Sequence, residues 1–343
     1  MAEVIFDFGN ALGKWFVPRT NEHGSFIHSI ARLSENEWST IVGRGKPPEG
    51  LVKVNGIPYA IGSAARRHTT QERPKGAARY RDTYYGVAMA YMLSESIKQN
   101  DSRVSLFASH APIDINYARN LIMASQGIWE VEGQHGLLAF KVHDVMTFDE
   151  PLGGFAHYTL TERGEERRSN LLYDKTTLVL DIGGYTVDVV AIDPGGEIDL
   201  MSAHSTRTGV ISLTQNFESE LRSNNSTLFQ DTGDLDIRRI ENAILTGKYK
   251  FGKIEIDCGH EASAAINGLV YDVQQVINAA GGVANYDVML VTGGGSALIY
   301  EALVDSMPRI DFLMAERNRD LMKYANVFGG AKISAMLRRQ KVR

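Results

Sequence analysis

The chain has 343 residues, enough for two domains or one large bilobal α/β unit with ample core. Hydrophobic residues make up 43% and charged residues 22%, an ordinary globular balance. The net charge of −5 argues against a main task of gripping nucleic acid along the surface.

The one cysteine, Cys258, rules out an intramolecular disulfide framework and suits the cytosol, so a cytoplasmic location is expected. No apolar run approaches the roughly 20 residues of a membrane span. The opening Met1 to Phe6 is acidic and too short for the apolar core of a signal peptide. The nine histidines show no paired metal-ligand spacing, and no zinc site is assigned.

Val4 to Val17 reads as a short apolar strand running into Asp7, a Gly9-Asn10 turn, and a second strand that leaves carrying Lys14. Concave backbone amides beside a carboxylate are how proteins hold a polyphosphate with its Mg²⁺. Asp7 is therefore a metal candidate and Lys14 a phosphate candidate. The same pattern also describes a surface hairpin with an ordinary lysine. Residues 18–80 are polar, glycine-rich and poor in helical periodicity. Within them, residues 51–62 predict a hairpin, Asn55-Gly56 supplying the positive φ angles of a type I′ turn. Arg66, Arg67, His68, Arg73, Lys75, Arg79 and Arg81 make the next segment basic, as a solvated loop face or as a subunit or phosphate contact.

Arg81 to Lys98 predicts a helix whose apolar stripe (Tyr84, Val87, Ala88, Tyr91, Met92) belongs to the core. Val104 to Ala108 reads as a strand, Asn116 to Ser125 as a helix and Gly136 to Met146 as another strand. Glu150 then opens a new element. A carboxylate there orients water for attack on a phosphate, or is merely an acid favoured by the helix dipole. The charged run Glu162 to Asn170 predicts an exposed loop between two halves.

Thr177 to Ala191 repeats the opening theme: a buried β-branched strand, Asp181, the Gly183-Gly184 turn, and a strand doubling back through Asp188. A plain hairpin fits this pattern as well. Helices follow over about 210–222, 235–245 and 262–279, with a strand-like run at 249–256. Val288 to Tyr300 is strand, triple glycine (Gly293, Gly294, Gly295), then helix, a form in which a base or ribose can lie against the backbone. Arg319 to Leu337 predicts the last helix, ending in a basic tail suited to a helix C-terminus.

Three such elements in this order, with a carboxylate between the first two, resemble the actin/Hsp70/hexokinase ATPase superfamily. Residues 7–14 resemble its phosphate-1 loop, with asparagine at 10 where actin has serine. The Asp181 hairpin resembles phosphate-2, and Thr292-Gly293-Gly294-Gly295 the adenosine motif. Phe148 to Gly153, with Glu150, resembles the matching segment of the plasmid-segregation (ParM-type) and archaeal actin-like proteins. Their closing segment is similar to Asn326 to Gly330.

The resemblance implies an α/β fold of two RNase-H-like (actin-fold) lobes with a nucleotide cleft between them. The N-terminal lobe would span 1–165, with an inserted subdomain at about 18–80. The C-terminal lobe would span 166–343, with another at about 210–260. Asp7 and Asp181 would hold Mg²⁺ through its waters. Gly9, Asn10, Gly183, Gly184, Tyr185 and Thr186 would cradle phosphates, with Lys14 neutralising their charge. Glu150 would position the attacking water, Asp188 would be a second polariser, and Gly293, Gly294 and Gly295 would flank the adenosine.

The implied function is a Mg²⁺-dependent ATPase, with GTP as an alternative nucleotide, that polymerises into dynamic filaments for plasmid or DNA segregation. Its partners would be itself and a DNA-bound adaptor, with no strong direct nucleic-acid binding and no membrane span. The alternatives are a non-polymerising nucleotide-binding regulator and a small-molecule kinase on the same fold.

Overall fold

The computed structural model describes the chain except for residues 1, 44, 69–70, 73–75, 100–101, 168–171, 173, 231, 234 and 343. Arg73 and Lys75 of the basic segment, the end of the charged run at 168–170, and Arg343 therefore lie outside the described residues. The chain divides into two compact units, Met1–Asn170 with Tyr324–Arg343, and Leu171–Lys323.

In chain order the first unit contains β1 (Ala2–Phe8), β2 (Leu12–Val17), β3 (Glu22–Ile27), β4 (Ile30–Arg32), α1 (Glu35–Val42), β5 (Leu51–Val54) and β6 (Ile57–Ile61). It continues with α2 (Asp82–Ile97), β7 (Ser102–His110), α3 (Ile115–Ala124), β8 (Gly127–Gly133), β9 (Gly136–Asp149) and α4 (Glu150–Thr159). The second unit holds β10 (Thr177–Ile182), β11 (Val187–Ile192), β12 (Ile198–Thr206), α5 (Val210–Asn224), α6 (Ser226–Phe229) and α7 (Ile237–Thr246). It is completed by β13 (Lys248–Phe251), β14 (Ile254–Asp257), α8 (Gly259–Ala279), β15 (Val288–Thr292), α9 (Ser296–Ser306) and β16 (Asp311–Met314). Finally α10 (Ala325–Val342) returns to the first unit.

The first unit's sheet has the order β3-β2-β1-β7-β9-β8-β5-β6-β4, with β1, β7 and β9 mutually parallel. Parallel strands are covered on both faces, so their sequences read as continuous apolar runs rather than alternations. Here Val4, Phe6 and Phe8 with Val104, Leu106 and Ala108 share a core with α2 residues such as Val87 and Met89. On the other face, Phe107 stacks on Phe148 at 4.8 Å, and Gly330 of α10 lies against Phe148 and Ile5. The segment over 30–65 joins the same sheet and adds a small core of its own around Trp38 and Leu51.

The second unit's sheet has the order β12-β11-β10-β15-β16. Its first three strands form an antiparallel meander, and β15 and β16 continue in parallel beyond β10. The first five strands of the other sheet, β3-β2-β1-β7-β9, repeat this plan, so β1 and β10 are topological equivalents. Leu178, Leu180 and Ile182 pack with Leu213, Phe217, Leu269, Val273 and Leu303 to form this core.

The Asn55-Gly56 turn has φ of 48° and 80°, the type I′ signature. Four expectations need correction. The final 20 residues belong with the first unit, because α10 packs on α4 so closely that a Cβ at Gly329 would collide with the Gly153 carbonyl. That helix starts at Ala325 rather than Arg319. The run at 249–256 is a hairpin turning at Gly252 (φ 60°), not one strand. The supposedly helix-poor 18–80 stretch contains α1, started by a capping box between Ser34 and Glu37. Among the described residues no helix is long and apolar enough to cross a membrane.

Candidate functional site

In the first unit the parallel strands end along one edge. Phe6 pairs with Ala108 and Ala108 with Thr147, so Asp7, Ser109 with His110, and Asp149 with Glu150 emerge together. The carboxyl ends of parallel strands are where α/β sheets bind ligands. The antiparallel β1–β2 register places Lys14 opposite Asp7. Its Nζ lies 2.6 Å from Oδ2, while the Ser109 hydroxyl donates to Oδ1 at 3.0 Å. Asp7 is buried at 1% exposure, and these two donors offset its desolvation. Asn10 sits half-buried in the bend between the strands.

Glu150 is the first residue of α4 and is buried. Arg79, itself only 2% exposed, places Nη2 2.8 Å from Glu150 Oε1 and donates from the same nitrogen to the Tyr80 hydroxyl at 2.6 Å. The Ala111 amide also donates to that hydroxyl, at 3.2 Å. Burial pushes the Tyr80 phenol well above its ordinary range, so it stays protonated. Beside Glu150, His110 Nδ1 stands 3.3 Å from Asp149 Oδ1. Burial lowers the imidazole and raises the carboxyl, and each partner opposes the other's shift. His28 stacks on Phe8 at 4.1 Å. Burial, and then the nearby Arg79 charge, bring its pKa down to about 3.

In the second unit Asp181 and Asp188 are register partners across the β10–β11 hairpin, both buried. The Gly183 amide donates to the Thr186 carbonyl at 2.9 Å, closing the turn through Gly184 and the half-buried Tyr185. Thr186 donates its hydroxyl to Asp188 Oδ2 at 2.8 Å, tying down the side chain assigned as a second polariser. The first amides of α5, Val210 and Ile211, donate to the Gly183 and Gly184 carbonyls at 3.2 and 2.8 Å. Gly293 has φ 87°, and a Cβ there would strike Asp181 Oδ1. Gly295 donates to the Ile182 carbonyl at 2.9 Å, and Gly294 passes beside Lys323. The Ser296 hydroxyl donates to the Gly293 carbonyl at 2.6 Å where α9 begins.

Thus Asp7, Gly9, Asn10, Lys14 and Glu150 are gathered by the first unit, and Asp181, Gly183, Gly184, Tyr185, Thr186, Asp188 and Gly293 to Gly295 by the second. Sequence reasoning missed Ser109 and the pairing of Arg79 with Glu150. Ser109 was findable, since it directly follows the strand expected over Val104 to Ala108. Arg79 gave no local signal, because its partner lies 71 residues on.

Among the described residues no group of three or more His, Cys, Asp or Glu is arranged to hold a metal. Mg²⁺ bound beside phosphates asks for less, one or two carboxylates with waters completing the shell. The residues fit that demand. Each hairpin provides a buried carboxylate at a glycine turn, and the space a Gly9 Cβ would fill lies 3.5 Å from Lys14 Nζ and 3.9 Å from Asp7 Oδ1.

No protein-family model and no curated protein matches the sequence. Solved structures do match the fold. The archaeal actin homologue Ta0583 is 14% identical with TM-score 0.76, covering 98% of this chain and 100% of its own. It has also been solved in complex with ADP. The actin-like protein Alp7A is 14% identical with TM-score 0.75, covering 99% of this chain and 97% of its own. A non-polymerisable quadruple mutant of pCBH ParM is 16% identical with TM-score 0.70, covering 97% and 98%. The chain has the actin fold, as the three-loop resemblance implied. Among solved structures it is similar to the archaeal actin homologue, ParM and Alp7A.

Proposed function

We propose that the protein is an actin-like ATPase, Mg²⁺-dependent, that assembles into nucleotide-dependent filaments serving plasmid or other DNA segregation in the cytoplasm. One observation carries this reading: the Asp-Gly hairpin recurs at equivalent strands of two units in an actin fold. The ADP complex of the archaeal homologue supports a nucleotide, with ATP as substrate and GTP as the alternative to test. The ParM neighbour described as a non-polymerisable mutant supports self-assembly. A DNA-bound adaptor would connect the acidic filament to its cargo.

In this reading each unit contributes a phosphate loop. Gly9, Asn10 and Lys14 on one, with Gly183, Gly184, Tyr185 and Thr186 on the other, bind phosphate oxygens through amides, side chains and a cation. Asp7 and Asp181 would hold Mg²⁺, which would neutralise charge on the phosphates. Gly293, Gly294 and Gly295 flank the nucleoside. Glu150 orients the attacking water, with Asp188 as a second acceptor. Phosphoryl transfer needs little more than such positioning and charge stabilisation.

The test combines phosphate release with light scattering and electron microscopy in ATP, ADP or no nucleotide. Filaments with Mg-ATP that disassemble after hydrolysis are expected. A protein that stays monomeric at micromolar concentration across salt and crowding conditions overturns the filament reading. Glu150→Ala should slow hydrolysis while ATP still binds, and an unchanged rate removes Glu150 from the mechanism.

A further inference from the structure

We infer that Arg79 is the positioning residue for Glu150, an assignment that rests on the nucleotide-hydrolase reading. A carboxylate buried at the start of α4 needs a charged partner to remain ionised away from water. Arg79 is that partner at 2.8 Å, and a guanidinium keeps its charge at any working pH. The pair is not a pendant contact. The same Nη2 donates to Tyr80, the guanidinium carbon lies 4.7 Å from the Tyr80 ring centre, and the Tyr80 hydroxyl is in turn held by the Ala111 amide.

Ala111 directly follows β7, whose Ser109 hydroxyl holds Asp7. Polar contacts from Glu150 through Arg79 and Tyr80 to Ala111, followed by two residues of main chain to Ser109, therefore tie Glu150 to the carboxylate of the first hairpin. Such a clamp fixes the direction of the Glu150 oxygens relative to Asp7. Displacements of about 1 Å can cost 10²-fold in rate when catalysis is mostly positioning. It also assigns Glu150 a manner of acting. A carboxylate oxygen that accepts from a guanidinium still has lone pairs for the hydrogen bond of a water, so Glu150 is placed to orient the water.

The experiment uses the full chain and measures kcat for Mg-ATP hydrolysis, Kd for a fluorescent ATP analogue, and Tm. Arg79→Met should lower kcat by about 10²-fold while Kd changes less than about threefold, the split expected for lost positioning. Arg79→Lys, which keeps the charge without the guanidinium geometry, should restore part of kcat. Arg79→Met combined with Glu150→Met should be no slower than either alone, because the two residues act as one unit. A wild-type kcat in folded Arg79→Met, an effect confined to Kd, or multiplying effects in the double variant each overturn the assignment.

Removing one member of a buried pair can prevent folding. Should Arg79→Met not fold, Arg79→Lys decides, and a wild-type kcat there overturns the assignment too. Wild-type protein without turnover overturns the hydrolase reading and this inference together. Wild-type turnover that responds to Glu150→Gln but not to Arg79→Met overturns this inference alone.

Discussion

The two Asp-Gly hairpins share a topology and differ in what surrounds the carboxylate. In the first unit Asp7 is gripped by side chains, Lys14 from the facing strand and Ser109 from the neighbouring one. In the second, Asp181 lies against main chain, where Gly293 passes too closely for any side chain. A lysine can exchange a carboxylate for a phosphate by moving its flexible stem, whereas a backbone contact cannot move without shifting two strands. Under the proposed function, the first hairpin would respond to a ligand, and the second would stand as a fixed wall.

Substitutions at both turns test that contrast, and the largest effect is expected at the fixed carboxylate. Asp181→Ala should reduce Mg²⁺-dependent turnover by roughly 10²–10³-fold, on the scale of losing one preorganised electrostatic group. Phosphate release at saturating Mg-ATP measures this, and undiminished turnover would mean that Asp181 carries no metal. Gly293→Ala should destabilise the protein by about 1–3 kcal/mol, from a strained positive φ and a collision with Asp181. Denaturant titration would show it, and a Cm equal to wild type would contradict the close approach.

Gly9→Ala should differ in kind. Its Cβ would meet the Leu12 carbonyl at 3.0 Å, with Lys14 Nζ at 3.5 Å and Asp7 Oδ1 at 3.9 Å, so stability should change by less than about 1 kcal/mol while nucleotide affinity falls. Loss of stability without loss of binding would reverse the contrast between the loops.

The last effect, seen only under acid conditions, concerns His28, which packs on Phe8 beside the first loop. Its folded pKa of about 3 lies below the ordinary 6.5, so between those values the unfolded chain binds the extra proton. This contribution is present above pH 6.5 and is lost as pH falls towards 3, at no more than about 1.4 kcal/mol per pH unit. His28→Phe should flatten the acid limb of the stability profile, and an unchanged slope would show that the ring is not desolvated.

Much of the first-order plan was legible because it is local. Strand, acid, glycine turn and returning strand lie within about a dozen residues at Asp7 and again at Asp181, and the triple glycine sits between an obvious strand and helix. What escaped depends on partners distant in sequence. Nothing around Arg79 in a basic, glycine-containing loop points to Glu150, and nothing in Asn326 to Gly330 reveals which unit it joins. The Ser34–Glu37 capping box was readable from its spacing, but the short, weakly apolar α1 behind it gave little periodicity. The strand-like 249–256 run hid its turn because a single Gly252 interrupts two short β segments.

The glycine contact between α4 and α10 bears on the order in which the chain matures. The second unit is one continuous stretch, Leu171–Lys323, whereas the first needs both Met1–Asn170 and Tyr324–Arg343. During synthesis β1 emerges first, yet the face of its sheet around Ile5 and Phe148 stays uncovered until α10 leaves the ribosome. Contacts of such long sequence separation form slowly and leave apolar surface exposed meanwhile. The half made first is therefore the half finished last, and in a nascent chain halted near residue 323 it should capture chaperones while the later half already resists protease.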